Sequence, residues 1–311
     1  MLSVVFMGTP EFAVPSLEAL TRSRHRVVAV VTGPDKPRGR GKRIAPSPVK
    51  NCALAAGLDV LQPESLRDEN FLEKLRDARA DIFVVVAFRI LPAEVLAIPP
   101  LGAVNLHASL LPRYRGAAPI HRALMNGETE TGVTTFLLRE HIDAGGIFLQ
   151  EAVGVGEDMT AGELHDMLAE RGASLLLTTL DGIEHGKLKP REQDESLATS
   201  APKLFREDCR IDWSSSGKRV HDHVRGLSPR PGAWTLWSNR IVKILRTRRV
   251  PMTFSSPTAL PGVVLSVGEY ILVACGDGPI EILELTLEGR KPMTAGEFLR
   301  GYRLQPGDSF T

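Results

Sequence analysis

The segment Asp81-Ile82-Phe83-Val84-Val85-Val86-Ala87 restricts the fold more than any other part of this 311-residue chain. It has one polar residue, at its start, and none of the polar alternation of a strand with a wet face. Such a strand is buried on both faces, as in a parallel sheet covered by helices. The N-terminus agrees. Ser3–Met7 is a short apolar run broken by Gly8-Thr9-Pro10, and Arg26–Val31 reads as a second strand. Between them Glu11–Arg22 reads as a helix, with Phe12, Leu17 and Leu20 on its apolar face and Pro15 in its first turns. A βαβ opening predicts an α/β domain with helices on both sheet faces. Further expected elements are a helix over Pro48–Ala56, a strand over Leu101–Leu106 and a helix opened by the capping box Thr160-Ala161-Gly162-Glu163.

After about residue 187 the texture changes. Lys187–Leu204 is polar and carries Pro190 and Pro202, so it reads as an interdomain linker. A helix near Lys218–Val224 follows, then strand-like runs at Ala233–Trp237, Arg240–Leu245, Gly262–Val267, Tyr270–Cys275 and Pro279–Leu287. Short strands separated by turns predict a small β-barrel. The expected division is a catalytic domain over 1–189, a linker over 190–206 and a barrel over 207–311. The composition, 43% hydrophobic and 24% charged, excludes disordered, collagenous and disulfide-scaffold classes. Cys52, Cys209 and Cys275 are far apart and odd in number, which suits reduced thiols in the cytoplasm. No secretory leader and no apolar run of membrane-spanning length is read, so no membrane association is expected.

The net charge of +1 is unevenly placed. Residues 1–50 hold nine Lys/Arg against three Asp/Glu, and residues 203–250 hold twelve against four. Either these are ordinary solvated faces or they meet a polyanion. Much of the first cluster, Lys36, Arg38, Arg40, Lys42 and Arg43, lies in Gly33–Pro48, whose six Gly and Pro between Pro34 and Pro48 forbid a helix or central strand. A loop of this length is often functional.

Asn105 and His107 end a predicted strand, two residues apart and therefore on one side of it. Ligands of open parallel sheets bind beyond the carboxyl ends of strands. An amide that donates to an oxyanion beside an imidazole that moves protons suits acyl transfer. Asp143, in the turn His141-Ile142-Asp143-Ala144-Gly145-Gly146, either stabilises that turn or orients a histidine. Sequence spacing leaves open whether it meets His107. The chain lacks the GxGxxG and Walker A patterns. His221-Asp222-His223 puts its imidazoles on different faces of a helix, so no metal is expected.

Together these residues resemble the methionyl-tRNA formyltransferases. The resemblance runs through Val5–Ala13, Arg38–Lys50, Gly102–Ile120 (with Asn105-Leu106-His107-Ala108-Ser109-Leu110-Leu111-Pro112), Thr131–Thr134, Ile142–Gly145, Arg210–Trp213 and Pro229–Trp234. It covers nearly the whole chain. It implies a Rossmann-like catalytic domain and a C-terminal OB-like β-barrel that binds tRNA. It also implies transfer of a formyl group from 10-formyltetrahydrofolate to the α-amine of methionyl initiator tRNA. The family's catalytic residues fall on Asn105, His107 and Asp143. Its folate site falls on Phe88, Arg89, Leu91, Ser109, Leu110, Leu111 and Pro112. The contacts to tRNA and its methionyl group fall on Phe12, Arg38, Arg40, Lys42, Arg43 and Lys203. A monomer is expected.

Three places depart from the family pattern: the short stretch Ala87–Leu91, Gly146 where Asp is frequent, and Lys203-Leu204 where some relatives have two lysines. Two other readings stand beside the first. One is the same chemistry on a sugar-nucleotide amine, or a formyltetrahydrofolate hydrolase. The other is a non-catalytic RNA-binding protein, which the presence of Asn105, His107 and Asp143 together disfavours.

Overall fold

The structure, a computed structural model, describes residues 1–38, 43–250 and 259–311, without the side chains of Arg38 and Arg43. In chain order the first elements are β1 (Ser3–Gly8), α1 (Val14–Thr21), β2 (Arg26–Val31), β3 (Lys36–Arg38), β4 (Arg43–Ala45), α2 (Pro48–Ala55), β5 (Val60–Leu61) and α3 (Glu69–Asp77). They continue with β6 (Ile82–Val86), α4 (Ala93–Leu96), β7 (Ala103–His107), α5 (Pro119–Met125), β8 (Glu130–Leu137), β9 (Ile147–Gly154) and α6 (Ala161–Glu184).

The sheet order is β5-β2-β1-β6-β7-β8-β9. β1, β2, β5, β6 and β7 run parallel, while β8 and β9 are antiparallel additions. The chain steps outward from β1 through β2 to β5, then returns across β1 to β6 and β7. Such a reversal opens a crevice at the carboxyl ends of the central strands, here Gly8, Val86 and His107. All five β6 residues are buried, as their unbroken apolar run requires. Phe71, Leu72 and Leu75 of α3 pack into the core formed with Val5, Phe83 and Val85. The side chain of Asp68 caps that helix by accepting from the Phe71 N–H at 2.9 Å.

The expected helix Glu11–Arg22 is divided: Glu11–Ala13 is a 3-10 turn and α1 begins at Val14. Pro15 has no N–H to donate to Glu11, so an α-helix starts cleanly only where Pro15 falls in its first turn. The basic loop contains a small hairpin, β3 with β4, separate from the main sheet.

Two compact units are present. One gathers Met1–Ala117, Glu130–Gly154 and His165–Ala201; the other gathers Ala118–Thr129, Val155–Leu164 and Pro202–Thr311. The expected linker 190–206 is therefore not one free span. Arg191 and Ile147 exchange both backbone hydrogen bonds, at 2.7 and 2.8 Å. Ala201 N–H donates to Arg115 O at 2.6 Å, and Arg115 N–H donates to Thr199 O at 2.8 Å. Polar composition reads as linker, but these backbone groups are paired within the first unit. Residues 118–129 and 155–164, expected with the catalytic domain, count with the second unit.

The second unit holds α7 (Gly217–Leu227), β10 (Ala233–Trp237), β11 (Arg240–Arg249), β12 (Val264–Val267), β13 (Ile271–Ala274), β14 (Pro279–Leu287), β15 (Met293–Thr294) and α8 (Ala295–Gly301). It is an antiparallel sheet in the order β10-β11-β14-β13-β12, with β15 beside β14. Ser238 and Asn239, with φ of 49° and 61°, make the two-residue turn from β10 to β11 that a right-twisted hairpin favours. Among the described residues no ladder joins β12 to β10, so the expected barrel is seen as a sheet. The C-terminal segment stands between those edges: Thr311 exchanges hydrogen bonds with Leu236, and Asp308 O and Phe310 N–H bond to Val264 and Gly262. Ile244, Ile282, Leu285 and Phe298 are in the core of this unit.

Candidate active site

Asn105 and His107 occupy the carboxyl-terminal half of β7. Asn105 lies between Val85 of β6 and Phe136 of β8 in register. It is half-buried, and its amide has no hydrogen-bond partner among the described residues. His107 is 7% exposed. Its Nε2 lies 2.9 Å from the Tyr114 carbonyl oxygen. A carbonyl only accepts, so Nε2 carries a proton and donates it there. Nδ1 is left facing Asp143, with Oδ2 at 3.7 Å. That separation is too long for a direct hydrogen bond and within reach of an ion pair or one bridging water. The Phe136 ring stands edge-on to the imidazole at 6.5 Å.

Asp143 has φ of +50°, which aims its side chain back toward β7 from the turn after β8. Its Oδ2 accepts from the Gly116 N–H at 2.8 Å. Gly116 has φ of +121°, and a Cβ there would lie 2.8 Å from the Ala201 carbonyl oxygen. Any other residue would be strained and would push this segment away.

The turn after β7 is tied internally. Ser109 Oγ donates to Arg113 O at 2.6 Å. Thr134 Oγ1 donates to Ser109 O at 2.6 Å and accepts from Leu111 N–H at 3.1 Å and Gln150 Nε2 at 2.9 Å. Gln150 also donates to Leu111 O at 2.9 Å, and the Leu111–Pro112 peptide is cis. The Ser109 hydroxyl therefore shapes the turn.

A cleft of about 90 Å³ is lined by Val85, Phe88, Arg89, Leu91, Asn105, Leu138, Ile142 and Asp143, among others. It brings Phe88, Arg89 and Leu91 together with Asn105 and Asp143; Ser109–Pro112 do not line it. Arg89 uses its guanidinium on the Pro63 and Glu64 carbonyls, at 2.9 and 3.0 Å, and burial lowers its pKa. It braces the short 87–91 loop. Phe12 is buried just beyond β1, its ring edge-on to His165 at 5.3 Å. Lys203 is exposed, in the second unit. Arg40 and Lys42 lie outside the described residues. Arg38 and Arg43 are described only as paired backbone in β3 and β4. At the root of their loop Asp35 accepts from Lys50 at 2.7 Å and Gln62 at 2.8 Å, and these bonds hold its carboxyl below the usual range.

Sequence patterning does not single out Thr134, Gln150, Arg115, Gln193, Glu195 or Thr199. Arg115 donates to both Glu195 oxygens, at 2.8 and 2.7 Å, and to Gln193 Oε1. The Glu195 carboxyl is held low, chiefly by the Arg115 hydrogen bond. Thr199 Oγ1 accepts from Tyr114 N–H at 2.8 Å. Of these, Thr134 and Arg115 fall within stretches that carry the family resemblance; Gln193, Glu195 and Thr199 carry no local signal.

The model of the formyl transferase family matches residues 1–180, and that of the formyl transferase C-terminal domain matches residues 203–303. The methionyl-tRNA formyltransferase of Heliobacterium modesticaldum is 49% identical, over 99% of this chain and all of the relative. That of Moorella thermoacetica is 50% identical, over 99% of this chain and 98% of the relative. Among solved structures, the N-formyltransferase of Helicobacter canadensis in complex with folinic acid and dTDP-3-aminofucose has a TM-score of 0.68 at 19% identity. It is matched over 91% of this chain and 99% of that one. HypX of Aquifex aeolicus with tetrahydrofolic acid has a TM-score of 0.65 at 19% identity, over all of this chain and 51% of that one. At these identities the structures share the fold alone.

Proposed function

This chain belongs to the methionyl-tRNA formyltransferase family, and we infer that it transfers a formyl group from 10-formyltetrahydrofolate to the α-amine of methionyl initiator tRNA. The observation that carries the reading is the convergence of Asn105, His107 and Asp143 at the carboxyl end of β7, beside a cleft with apolar walls and polar edges, in a chain about half identical to such enzymes over its whole length.

The cleft suits the donor's flat ring: Val85, Phe88, Leu91 and Ile142 offer apolar walls, and Asn105 offers a polar edge. When bound, the donor supplies an electrophilic formyl carbon and a nitrogen leaving group. The amine forms the new bond to that carbon, the old carbon–nitrogen bond breaks, and one proton passes from amine to leaving nitrogen. In this reading the unpartnered Asn105 amide donates to the oxygen that becomes negative during the attack. His107, anchored through Nε2, presents Nδ1 for proton exchange and for charge on that oxygen. Asp143 sets the His107 ring orientation and gives the departing amine proton a route through water. Phe88 and Leu91 wall the cleft that takes the donor's ring, and the Ser109–Pro112 turn, which does not line that cleft, meets the donor beyond it. Phe12 receives the methionyl side chain. Arg38, Arg40, Lys42, Arg43 and Lys203 engage tRNA phosphates.

Asn105, His107 and Asp143 come from one chain, so a monomer suffices. The enzyme acts in the cytoplasm, where charged initiator tRNA is met; no helix among the described residues is long and apolar enough to cross a membrane. The test is incubation of the protein with 10-formyltetrahydrofolate and either methionyl initiator tRNA or a dTDP-amino sugar. Formyl-methionyl-tRNA is expected. Product on the sugar alone, or free formate alone, would overturn the reading.

A further inference from the structure

We propose that Gln193 is a positioning residue for formyl transfer, holding His107 and Asp143 in register by joining the two loops that fix them. The inference rests on the reading of Asn105, His107 and Asp143 as the reacting site.

The Gln193 amide stands between two loops of the first unit. Its Oε1 accepts from Arg115 Nε at 3.2 Å and from a second Arg115 nitrogen at 2.7 Å. Its Nε2 donates to Asp143 O and to Gly145 O, both at 2.7 Å. Guanidinium only donates and carbonyls only accept, so the amide fits one way round and all its hydrogen-bonding capacity is used. The loop on the Arg115 side supplies the Tyr114 carbonyl that anchors His107 Nε2 and the Gly116 N–H that anchors Asp143 Oδ2. The loop on the other side carries Asp143 itself. The Gln193 amide thus joins, beside the direct Gly116 N–H to Asp143 Oδ2 bond, the loop that anchors the imidazole to the turn that carries the carboxylate.

Both loops need an external hold. Tyr114 and Asp143 have φ of 60° and 50°, left-handed conformations that are unfavourable for a non-glycine residue. Arg115 cannot supply the hold unaided, because it reaches only one loop; Glu195 pins its far edge and keeps it aligned for Gln193. The Asp143 and Gly145 carbonyls depend on Gln193 for these bonds, so loss of its Nε2 donor loosens the turn on which Asp143 sits.

Q193E separates this role from bulk packing. It keeps the oxygen that receives Arg115 and replaces the donor that faces the two carbonyls with a second oxygen. The expected result is a kcat for methionyl-tRNA formylation lowered about ten- to a hundredfold, the scale for misplacing reacting groups by about 1 Å. KM for both substrates should stay within about twofold. In ¹⁵N-histidine-labelled protein the His107 imidazole resonances should move while those of His25, at the far end of the sheet, stay put. The Gln193→Ala variant, which adds no charge, should show the same pattern more weakly, and carries the test if Q193E does not fold. An unchanged kcat overturns the proposal. So does a lower kcat with unmoved His107 resonances, which marks general destabilisation. The resonance measurement needs no substrate, so moved resonances in a protein that fails to formylate tRNA would support the positioning and count against the functional reading alone.

Discussion

Asp222, in the second unit, finds its partners within one helical turn; Asp143, in the first, finds them across the chain. On α7 the Asp222 carboxylate accepts from Arg225 at 2.7 and 2.8 Å and from Lys218 at 2.6 Å. Asp222 and Arg225 are both 7% exposed at the side chain, and Arg225 also donates to the Gly156 carbonyl at 3.2 Å. That pair neutralises buried charge where helix geometry places it, and it fixes the unit's structure. Asp143 meets Gly116 N–H 27 residues away, and its carbonyl meets Gln193 50 residues away. Its carboxylate stays short of a direct bond to His107. The first arrangement is closed and structural. The second is held by its backbone and leaves reactive atoms available, which is what a proton-handling site needs.

The contrast is sharpest for His107→Ala. Kcat should fall on the order of 10³-fold, about 4 kcal/mol, with the thermal midpoint little changed. Single-turnover formylation beside a melting curve checks this; a variant that melts early and keeps its rate would erase the distinction. Asp222→Ala should do the opposite. Leaving Arg225 buried and unpaired costs about 3 kcal/mol of stability, visible as a lower denaturation midpoint in urea.

These two residues also show what a sequence displays. The Asp222–Arg225 and Asp222–Lys218 spacings are helical and can be read directly from the order of residues. So can the buried β6 run, the Thr160–Glu163 cap and the Asn105/His107 pair on one strand side. The hold on Asp143 cannot be read that way. Arg115 and Glu195 are 80 residues apart, and their meeting is decided by how the 190–201 segment lies along the 112–116 turn. Polar composition made that segment read as linker, because amides and carboxylates look alike whether they face water or a loop. The strands of the second unit are legible as short runs separated by turns, but not the place of residues 308–311 between the sheet edges.

A third substitution tests the turn after β7, proposed to meet the folate donor. Thr134→Val keeps shape and removes the hydroxyl that serves Ser109, Leu111 and Gln150. The buried groups left unsatisfied should cost about 1–3 kcal/mol. KM for 10-formyltetrahydrofolate should rise more than KM for tRNA; an equal proportional rise in both would detach the turn from the donor.

The smallest effect is expected at a surface pair of the second unit. The Glu163 carboxyl is held down to about 2 by the Thr160 backbone N–H and then by Arg246. Its ordinary value is 4.5, so its contribution is present above that pH and is lost as pH falls toward 2. Both partners are substantially exposed, so screening keeps the effect small. Glu163→Gln should lower the melting temperature slightly at pH 7, and by less as the pH falls to 2 and below. A difference that grows on acidification would contradict the assignment.

On the proposed function, His107 and Asp143 act as one unit in formyl transfer. The direct measurement is a double-mutant cycle on kcat for methionyl-tRNA formylation, using His107→Ala, Asp143→Ala and the pair. Residues that act as a unit are non-additive, so the double variant should lose little more than the worse single variant. Losses that multiply fully would mean that the two side chains work independently, and would refute their joint role.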